Sequence, residues 1–153
     1  MSGHRPLLVL RVPSRTEFLA TIRDVTRRVA EVAGFDPGQA YQLALAVDEA
    51  STNVIEHAYR GAPGRVVEVR FDDRGPDLRV EVVDDGEGVD ARAFPDVDLQ
   101  RYVSERRTGG LGVHLMGRIM DSVTFRRRAG SNVCCMRKRK PPSGARAGGE
   151  AAS

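Results

Sequence analysis

Long apolar runs are missing from this 153-residue sequence. No stretch approaches the roughly 20 apolar residues that a membrane-spanning helix needs. The first apolar run, at residues 7–10, is too short for a signal peptide and has Arg5 and Arg11 on its two sides. Without a membrane span or an export signal, we expect a cytoplasmic protein.

Cysteine is also scarce, with only the adjacent pair Cys134 and Cys135. Neighbouring side chains in a strand point to opposite faces, so a disulfide between these two would be strained. Two cysteines are too few for a structural zinc site without histidines at suitable spacing. We therefore expect two reduced thiols, one in the core and one near the surface.

Most of the chain lacks a strong net charge. The formal charge is +3, but the segment after Met136 has five basic residues and one acidic residue. The first 136 residues therefore carry a net charge of −1. A nearly neutral body argues against a nucleic-acid-binding domain, and the basic character is assigned to a solvated tail.

Hydrophobic periodicity predicts three helices and five strands. Ser14 is placed as the N-cap of a first helix ending near Ala33, with Glu17 in a capping box. A second helix runs from Pro37 or Gly38 to about Ala58. Alternating apolar residues predict an N-terminal strand and two hairpins, and a short helix follows a glycine cluster between those hairpins.

These elements predict an α+β fold in a single domain. Hairpins produce antiparallel strands, and three helices are enough to cover only one face of a sheet. We expect a two-layer sandwich of a mixed, mainly antiparallel sheet covered on one face by about three helices. This domain would span residues 1–140, and the small, polar residues 141–153 are expected to form a disordered tail.

Three polar motifs interrupt the hydrophobic pattern. Glu49, Asn53 and His57, within VDEASTNVIEHAY, are four residues apart and therefore share one edge of the second helix. The motif DDGEG at 84–88 follows a predicted strand, where glycines allow a flat ring to approach and an ionised carboxylate can accept from an exocyclic amine. The motif TGGLG at 108–112 precedes a helix whose first N–H groups attract anions.

Each motif has an ordinary explanation when it is taken alone. Charged residues on helices are usually solvated, and Asp-Asp-Gly is common in turns. Asparagine is a poor zinc ligand, so the helix edge does not indicate a zinc site. The glycine cluster is neither a P-loop nor a dinucleotide-binding fingerprint, because no Gly-Lys-Ser/Thr follows it and no strand closely precedes it.

The order of the motifs is more specific than any one of them. E-x-x-x-N, D-x-G-x-G and G-x-G in this order resemble the N, G1 and G2 boxes of the Bergerat ATP-binding fold. Histidine kinases, gyrase-type ATPases and certain protein serine kinases share that fold, and the resemblance covers about residues 7–139. The short form with Glu49-Ala50, Asn53 and His57-Ala58-Tyr59 is similar to the bacterial anti-sigma-factor serine/threonine kinases.

The resemblance implies a role for each motif. Glu49 would be the general base that takes the proton of a substrate hydroxyl, and Asn53 would offer its amide oxygen to Mg²⁺. Asp84 would accept from the adenine amine of ATP, with Gly86 and Gly88 leaving room for the ring. The other residues implied in nucleotide binding are Arg106, Arg107, Thr108, Gly109, Gly110, Leu111, Gly112 and Ser131.

Two choices within this site stay open, and one residue is left outside it. Spacing does not choose between Arg106 and Arg107 for the γ-phosphate. Ser131 or Asn132 must supply any contact near the base, where related proteins often carry a threonine. His57 is expected to have a structural role at the end of its helix.

The implied function is that of an anti-sigma factor with kinase activity. It would bind a sigma factor and use Mg-ATP to phosphorylate an anti-anti-sigma protein of the STAS type, and the resemblance suggests a homodimer. A non-catalytic nucleotide-dependent binding module of the same fold is the first alternative, although such a module needs no base at Glu49. A detached histidine-kinase catalytic domain ranks below that alternative. We expect no phospho-acceptor helix pair before this domain, and its lid is short. A nucleic-acid role of the basic tail comes last.

Overall fold

The computed structural model describes residues 6–86 and 110–142, with the backbone alone at 110–114. The elements begin with β1 (Leu8–Pro13), a 3₁₀ turn (Thr16–Phe18), α1 (Leu19–Val32), α2 (Pro37–Asn53) and a π-helical turn (Val54–Ala58). They continue with β2 (Val66–Asp72), β3 (Asp77–Asp84), α3 (Gly110–Ile119), β4 (Ser122–Arg128) and β5 (Ser131–Arg139). None of the helices in the described part of the chain combines the length and apolar character that crossing a membrane requires.

The five strands form one sheet in the order β1-β2-β3-β5-β4. Every pairing between the described strands is antiparallel. The helices pack on one face, where alternate residues of the central strands are almost fully buried: Val67, Val69, Phe71, Leu78, Val80 and Val82. The predicted two-layer α+β sandwich is confirmed, and within the described strands its sheet is antiparallel without a parallel pair.

The second helix begins where the sequence predicts. Asp36 is its N-cap and accepts from the Gln39 N–H at 2.7 Å, while the Gln39 side chain accepts from the Asp36 N–H at 3.2 Å. Pro37 occupies the first turn, where its missing N–H leaves no donor unsatisfied. The buried face of α2 is rich in small residues, and α2 packs against α1, α3 and β3.

The predicted N-cap role of Ser14 is wrong. Its hydroxyl donates to the Ala62 carbonyl at 2.6 Å and accepts from the Arg65 N–H at 3.1 Å. β1 is still paired with β2 at Pro13, so Ser14 lies beside the loop that enters β2. The 3₁₀ turn separates it from the start of α1 at Leu19.

The two cysteines are free thiols on opposite faces of β5, but both are buried. Cys134 faces the helices, and burial raises the pKa of its thiol. Cys135 lies on the uncovered face opposite Glu81 and is 5% exposed. The expectation of one cysteine near the surface is therefore wrong, because long charged side chains cover this face. They are joined by ion pairs among Arg11, Glu68, Arg70, Arg79, Glu81 and Arg128.

Candidate nucleotide-binding site

Asp84 lies at the end of β3 with its side chain on the helix-covered side of the sheet. The strand register places it opposite Asn132 of β5. Its Oδ1 accepts from Asn132 Nδ2 at 2.8 Å and from the Gly86 N–H at 2.9 Å. With 7% of its surface exposed, Asp84 is a buried carboxylate whose neighbours are hydrogen-bond donors.

The groups around Asp84 have opposing effects on the pKa of its carboxyl. Burial raises the pKa of its carboxyl above the ordinary value and is the dominant effect. The hydrogen bonds from Asn132 and Gly86 lower that pKa, the charge of Asp85 raises it, and the charge of Arg127 lowers it. When ionised, this carboxylate can only accept hydrogen bonds, which suits an exocyclic amine.

Asn132 is held from three sides. Its Nδ2 also donates to the Gly86 carbonyl at 3.0 Å, and its Oδ1 accepts from Arg127 Nη1 at 2.7 Å. Neighbouring residues of a strand face opposite sides, so Ser131 points away from the helix-covered side on which Asn132 meets Asp84. The structure thus provides the contact near Asp84 through Asn132, the second of the two residues that spacing left open.

Gly86 brings the loop after β3 against the end of the π-helical turn. A Cβ atom at this position would lie 2.5 Å from the Ala58 carbonyl oxygen and 2.9 Å from its carbon. Real Cβ atoms do not approach backbone atoms this closely, so glycine is required for the contact. The sequence predicts that Gly86 leaves room for a ring, and the structure adds that it joins the Asp84 loop to the helix bearing Glu49 and Asn53.

Tyr59 fastens the same loop from the other side. Its hydroxyl lies 2.6 Å from the Val66 carbonyl oxygen and 3.1 Å from Asp85 Oδ1, and it accepts from the Asp85 N–H at 3.2 Å. The Arg65 guanidinium stacks 4.7 Å from the Tyr59 ring centre and donates to Asp85 Oδ1 at 2.7 Å. Burial raises the pKa of Tyr59 to about 12, so the hydroxyl stays protonated. Sequence reasoning noted Tyr59 only as part of a motif, and no periodic signal pointed to this role.

An open cavity of about 370 Å³ lies beside this loop. Its lining includes Tyr59, Arg65, Asp85, Gly86 and Arg127. The loop is therefore accessible from one side while its other contacts hold it in place.

Glu49 and Asn53 lie on the last turns of α2, one helical turn apart, and both side chains are half-buried. Burial raises the pKa of the Glu49 carboxyl, and the charges of Asp48 and Glu56 raise it further. His57 follows in the π-helical turn, where the Tyr59 N–H bonds the Val54 carbonyl at 2.9 Å. Among the described residues, the side chains of Glu49, Asn53 and His57 have no hydrogen-bond or ion-pair partner.

The glycine cluster is described only in part. α3 begins at Gly110, and Leu111 and Gly112 belong to its first turn. The predicted helix at this cluster is confirmed, although Gly112 lies inside the helix instead of before it. Gly88, Arg106, Arg107, Thr108 and Gly109 lie outside the described residues. Among the residues that the structure describes, no group of three or more acidic, histidine or cysteine side chains could hold a metal ion.

Comparisons with known proteins identify the family of this chain. A family model described as a histidine kinase-like ATPase domain matches residues 12–138. The chain is 31% identical to serine-protein kinase RsbW of Bacillus subtilis, over 87% of this chain and 86% of that protein. It is 34% identical to serine-protein kinase RsbW of Bacillus pumilus, over 83% of this chain and 82% of that protein.

Two solved structures share the fold at low sequence identity. The structure of the RsbU and RsbW domains of a Mycobacterium tuberculosis protein matches with a TM-score of 0.57 and 18% identity, covering 91% of this chain and 34% of that one. A SiaB–SiaC complex from Pseudomonas aeruginosa matches with a TM-score of 0.55 and 17% identity, covering 88% of this chain and 90% of that one. The chain therefore belongs to the histidine kinase-like ATPase domain family and, within it, to the RsbW group of serine-protein kinases.

Proposed function

We propose that this protein is an anti-sigma factor that binds a sigma factor and phosphorylates a serine of an anti-anti-sigma protein of the STAS type with Mg-ATP. The observation that carries the proposal is the junction at Gly86. It holds a buried carboxylate for the base, Asp84, against the end of the helix that carries a half-exposed carboxylate and amide, Glu49 and Asn53. A base subsite and a chemical subsite are thereby joined by direct packing.

The base subsite fits an adenine. Asp84 is buried at a strand end with both described hydrogen bonds arriving at Oδ1. An acceptor-only carboxylate in a desolvated position favours a ligand that presents an amino group. We assign this role to Asp84, with Asn132 as its protein partner.

The helix edge fits a magnesium-bound phosphate chain. Mg²⁺ takes oxygen ligands and usually keeps several waters and phosphate oxygens, so one amide oxygen from the protein is a sufficient contribution. Asn53 is half-buried at the end of α2 and, among the described residues, has no partner that competes for its side chain. When bound, the ion would neutralise negative charge on the phosphates.

Glu49 is the group that would accept the proton of the attacking serine hydroxyl. Burial raises the pKa of its carboxyl, which makes the carboxylate a stronger proton acceptor than a solvated glutamate. In this step the serine oxygen bonds to the γ-phosphorus, the bond to the β-γ bridging oxygen breaks, and the proton moves to Glu49. Asn53 and Asp84 hold the nucleotide in line for the attack.

A cytoplasmic location and a homodimer complete the proposal, and both rest on the resemblance to anti-sigma-factor kinases. Gly88 is proposed to leave room for the adenine ring together with Gly86. Arg106 or Arg107 is proposed to meet the γ-phosphate, and Thr108, Gly109, Gly110, Leu111 and Gly112 are proposed to bind the nucleotide where the lid helix begins under the phosphates. Ser131 is proposed only for the rim of the base subsite.

The test is a phosphorylation assay with purified full-length protein, γ-labelled ATP, Mg²⁺ and the STAS-type proteins encoded near its gene. We expect label on one serine of one such protein, and retention of a sigma factor by the ATP-bound protein. If ATP binds and a sigma factor is retained but no partner is labelled, the protein is a nucleotide-dependent binding module and the kinase proposal is wrong. If ATP does not bind at all, the nucleotide site is wrong.

A further inference from the structure

Arg127 touches the candidate base subsite although the proposed reaction gives it no role. The strand registers place Arg127 of β4 opposite Asn132 of β5, and Asn132 opposite Asp84 of β3. Arg127 Nη1 donates to Asn132 Oδ1 at 2.7 Å and to the Gly86 carbonyl at 3.2 Å. Three side chains on adjacent strands thus form one hydrogen-bonded row that ends at the carboxylate.

The row fixes the orientation of the Asn132 amide. A guanidinium has donors and no acceptor, so the group facing Arg127 must be the amide oxygen. The amide nitrogen then faces Asp84 Oδ1 and the Gly86 carbonyl, and its two protons satisfy these two acceptors. If the amide were turned, a donor would face Arg127 and an acceptor would face Asp84, so each of these contacts would become repulsive.

We propose that Arg127 is a positioning residue that sets the nucleobase selectivity of the site, by holding Asn132 in the orientation that keeps Asp84 an acceptor for a 6-aminopurine. The inference rests on the proposed nucleotide binding. A 6-aminopurine presents a donor at position 6, whereas a 6-oxopurine presents an acceptor there. An ionised Asp84 accepts from the first and repels the second.

Loss of Arg127 changes this balance through Asn132. Asn132 is then held only through its nitrogen, by Asp84 and Gly86, and the turned amide costs less because it no longer places a donor against a guanidinium. In the turned amide the oxygen faces Asp84, and two facing acceptors are tolerated only when a proton lies between them. A protonated Asp84 can donate to a 6-oxo group, so discrimination between the two bases falls. Loss of the positive charge of Arg127 also lowers discrimination, because this charge favours the ionised form of Asp84.

The experiment measures the affinities of full-length protein for ATP and for inosine triphosphate, which has the same sugar and phosphates, by calorimetry. We expect the wild type to prefer ATP. In Arg127→Gln the ratio of the two affinities should fall roughly five- to tenfold, the effect of about one hydrogen bond. Arg127→Lys, which keeps a charge and a donor, should restore part of the ratio.

The matched control is Arg128→Gln, which removes the same charge from the next residue. Arg128 pairs with Glu81 on the other face of the sheet, at 3.5 Å. We expect its ATP to inosine triphosphate ratio to equal that of the wild type. In an Asn132→Ala background, Arg127→Gln should change the ratio clearly less than it does in the wild type, since the amide is gone and only the charge of Arg127 still acts on Asp84.

The possible outcomes separate this inference from the function it rests on. If wild-type protein binds neither nucleotide, the proposed nucleotide site itself is wrong. If Arg127→Gln binds ATP with an unchanged ratio, or weakens both nucleotides equally, Arg127 does not set selectivity and the inference is overturned. The same holds if Arg127→Gln lowers the ratio as much when Asn132 is already alanine as it does in the wild type. Because Arg127 is exposed, we expect these variants to fold, and Arg127→Lys carries the test if the glutamine variant does not.

Discussion

The two ends of the candidate site are built differently. At the base end, Asp84 is buried and is tied by hydrogen bonds to Asn132 and Gly86. At the helix end, Glu49 and Asn53 are half-buried and have no side-chain partner among the described residues. Buried polar groups must be paired within the protein, whereas half-exposed ones can remain hydrated until a ligand replaces the water. The base end is therefore organised before binding, and the helix end is left for the ligand to complete.

The two carboxylates also differ in what surrounds them. Burial raises the pKa of both, but donors and Arg127 lower that of Asp84, whereas Asp48 and Glu56 raise that of Glu49 further. The donors around Asp84 and the charge of Arg127 thus offset part of the rise in its pKa and favour its ionised, acceptor form, while its net pKa stays above the ordinary value. Glu49 is left in negative surroundings that favour taking up a proton.

The largest expected effect lies at the helix end. Glu49→Gln keeps the size of the side chain but cannot take a proton, so the phosphorylation rate should fall roughly 10²–10⁴-fold. ATP affinity, measured by calorimetry, should stay within about twofold of the wild-type value, since Glu49 binds no part of the nucleotide in our assignment. Glu31→Gln, at an exposed glutamate of α1, is the matched control. A wild-type rate in Glu49→Gln would rule out Glu49 as the base.

The second-largest effect is expected at the junction between the two ends, where Gly86 lies against Ala58. Gly86→Ala places a methyl group 2.5 Å from the Ala58 carbonyl oxygen, so the loop or the helix end must move. We expect a loss of about 1–3 kcal/mol in the free energy of unfolding, together with weaker ATP binding. Gly64→Ala is the control, because a Cβ there meets nothing within 4 Å. Equal stability of the two variants in denaturant titrations would mean that the contact is not required.

Asp84→Asn tests the organised end directly. It turns an acceptor-only group partly into a donor, and we expect ATP affinity to fall by about 1–3 kcal/mol. The wild type should lose ATP affinity as the pH falls through the pKa of Asp84, which burial raises above the ordinary value of an aspartate. Among the described residues, the other titratable groups that interact with it are Asp85, Arg127, Tyr59, Arg65 and Cys134.

Calorimetric titrations of both proteins across this range provide the comparison. The asparagine variant should lack the part of the acid dependence that Asp84 contributes, because it has no proton to gain at this position. Parallel pH profiles for the two proteins would remove Asp84 from the base subsite.

The smallest effect concerns the clasp formed by Tyr59, Arg65 and Asp85. Tyr59→Phe keeps the ring beneath Arg65 and removes the hydroxyl that joins Val66 to Asp85. We expect a loss of about 1 kcal/mol in unfolding free energy, with a comparable loss in ATP affinity. Tyr41→Phe, at a half-exposed tyrosine of α2, is the control. If only stability falls, the clasp supports the fold and does not position the loop.

The sequence predicts the elements of this fold better than the contacts between them. Two-residue alternation locates β2 and β3, and the polar residues of α2 stand out against its apolar face. The partner of Asp84 could not be predicted from the sequence in this way, because only the register of β3 against β5 selects Asn132 over Ser131. Arg127 requires a second register, that of β4 against β5.

Two wrong expectations have the same origin. Ser14 carries a capping residue type, but the pairing of β1 with β2 brings its hydroxyl to another loop first. Cys135 alternates toward the uncovered face, yet it is buried, with the Arg79 side chain of the neighbouring strand β3 bonded to it. Local sequence records the residue types, whereas both outcomes depend on strands that are distant in the chain.

The β3–β5 pairing also sets the order in which the protein acquires its base subsite during synthesis. Asp84 and Asn132 are 48 residues apart in the chain, and the two hairpins can each form locally before they meet. In a nascent chain whose β5 has not yet left the ribosome, β3 is an open sheet edge and Asp84 lacks the Asn132 donor. On the proposed assignment of Asp84, nucleotide recognition would begin only when this second hairpin docks, and ATP would stabilise only chains that have completed that step.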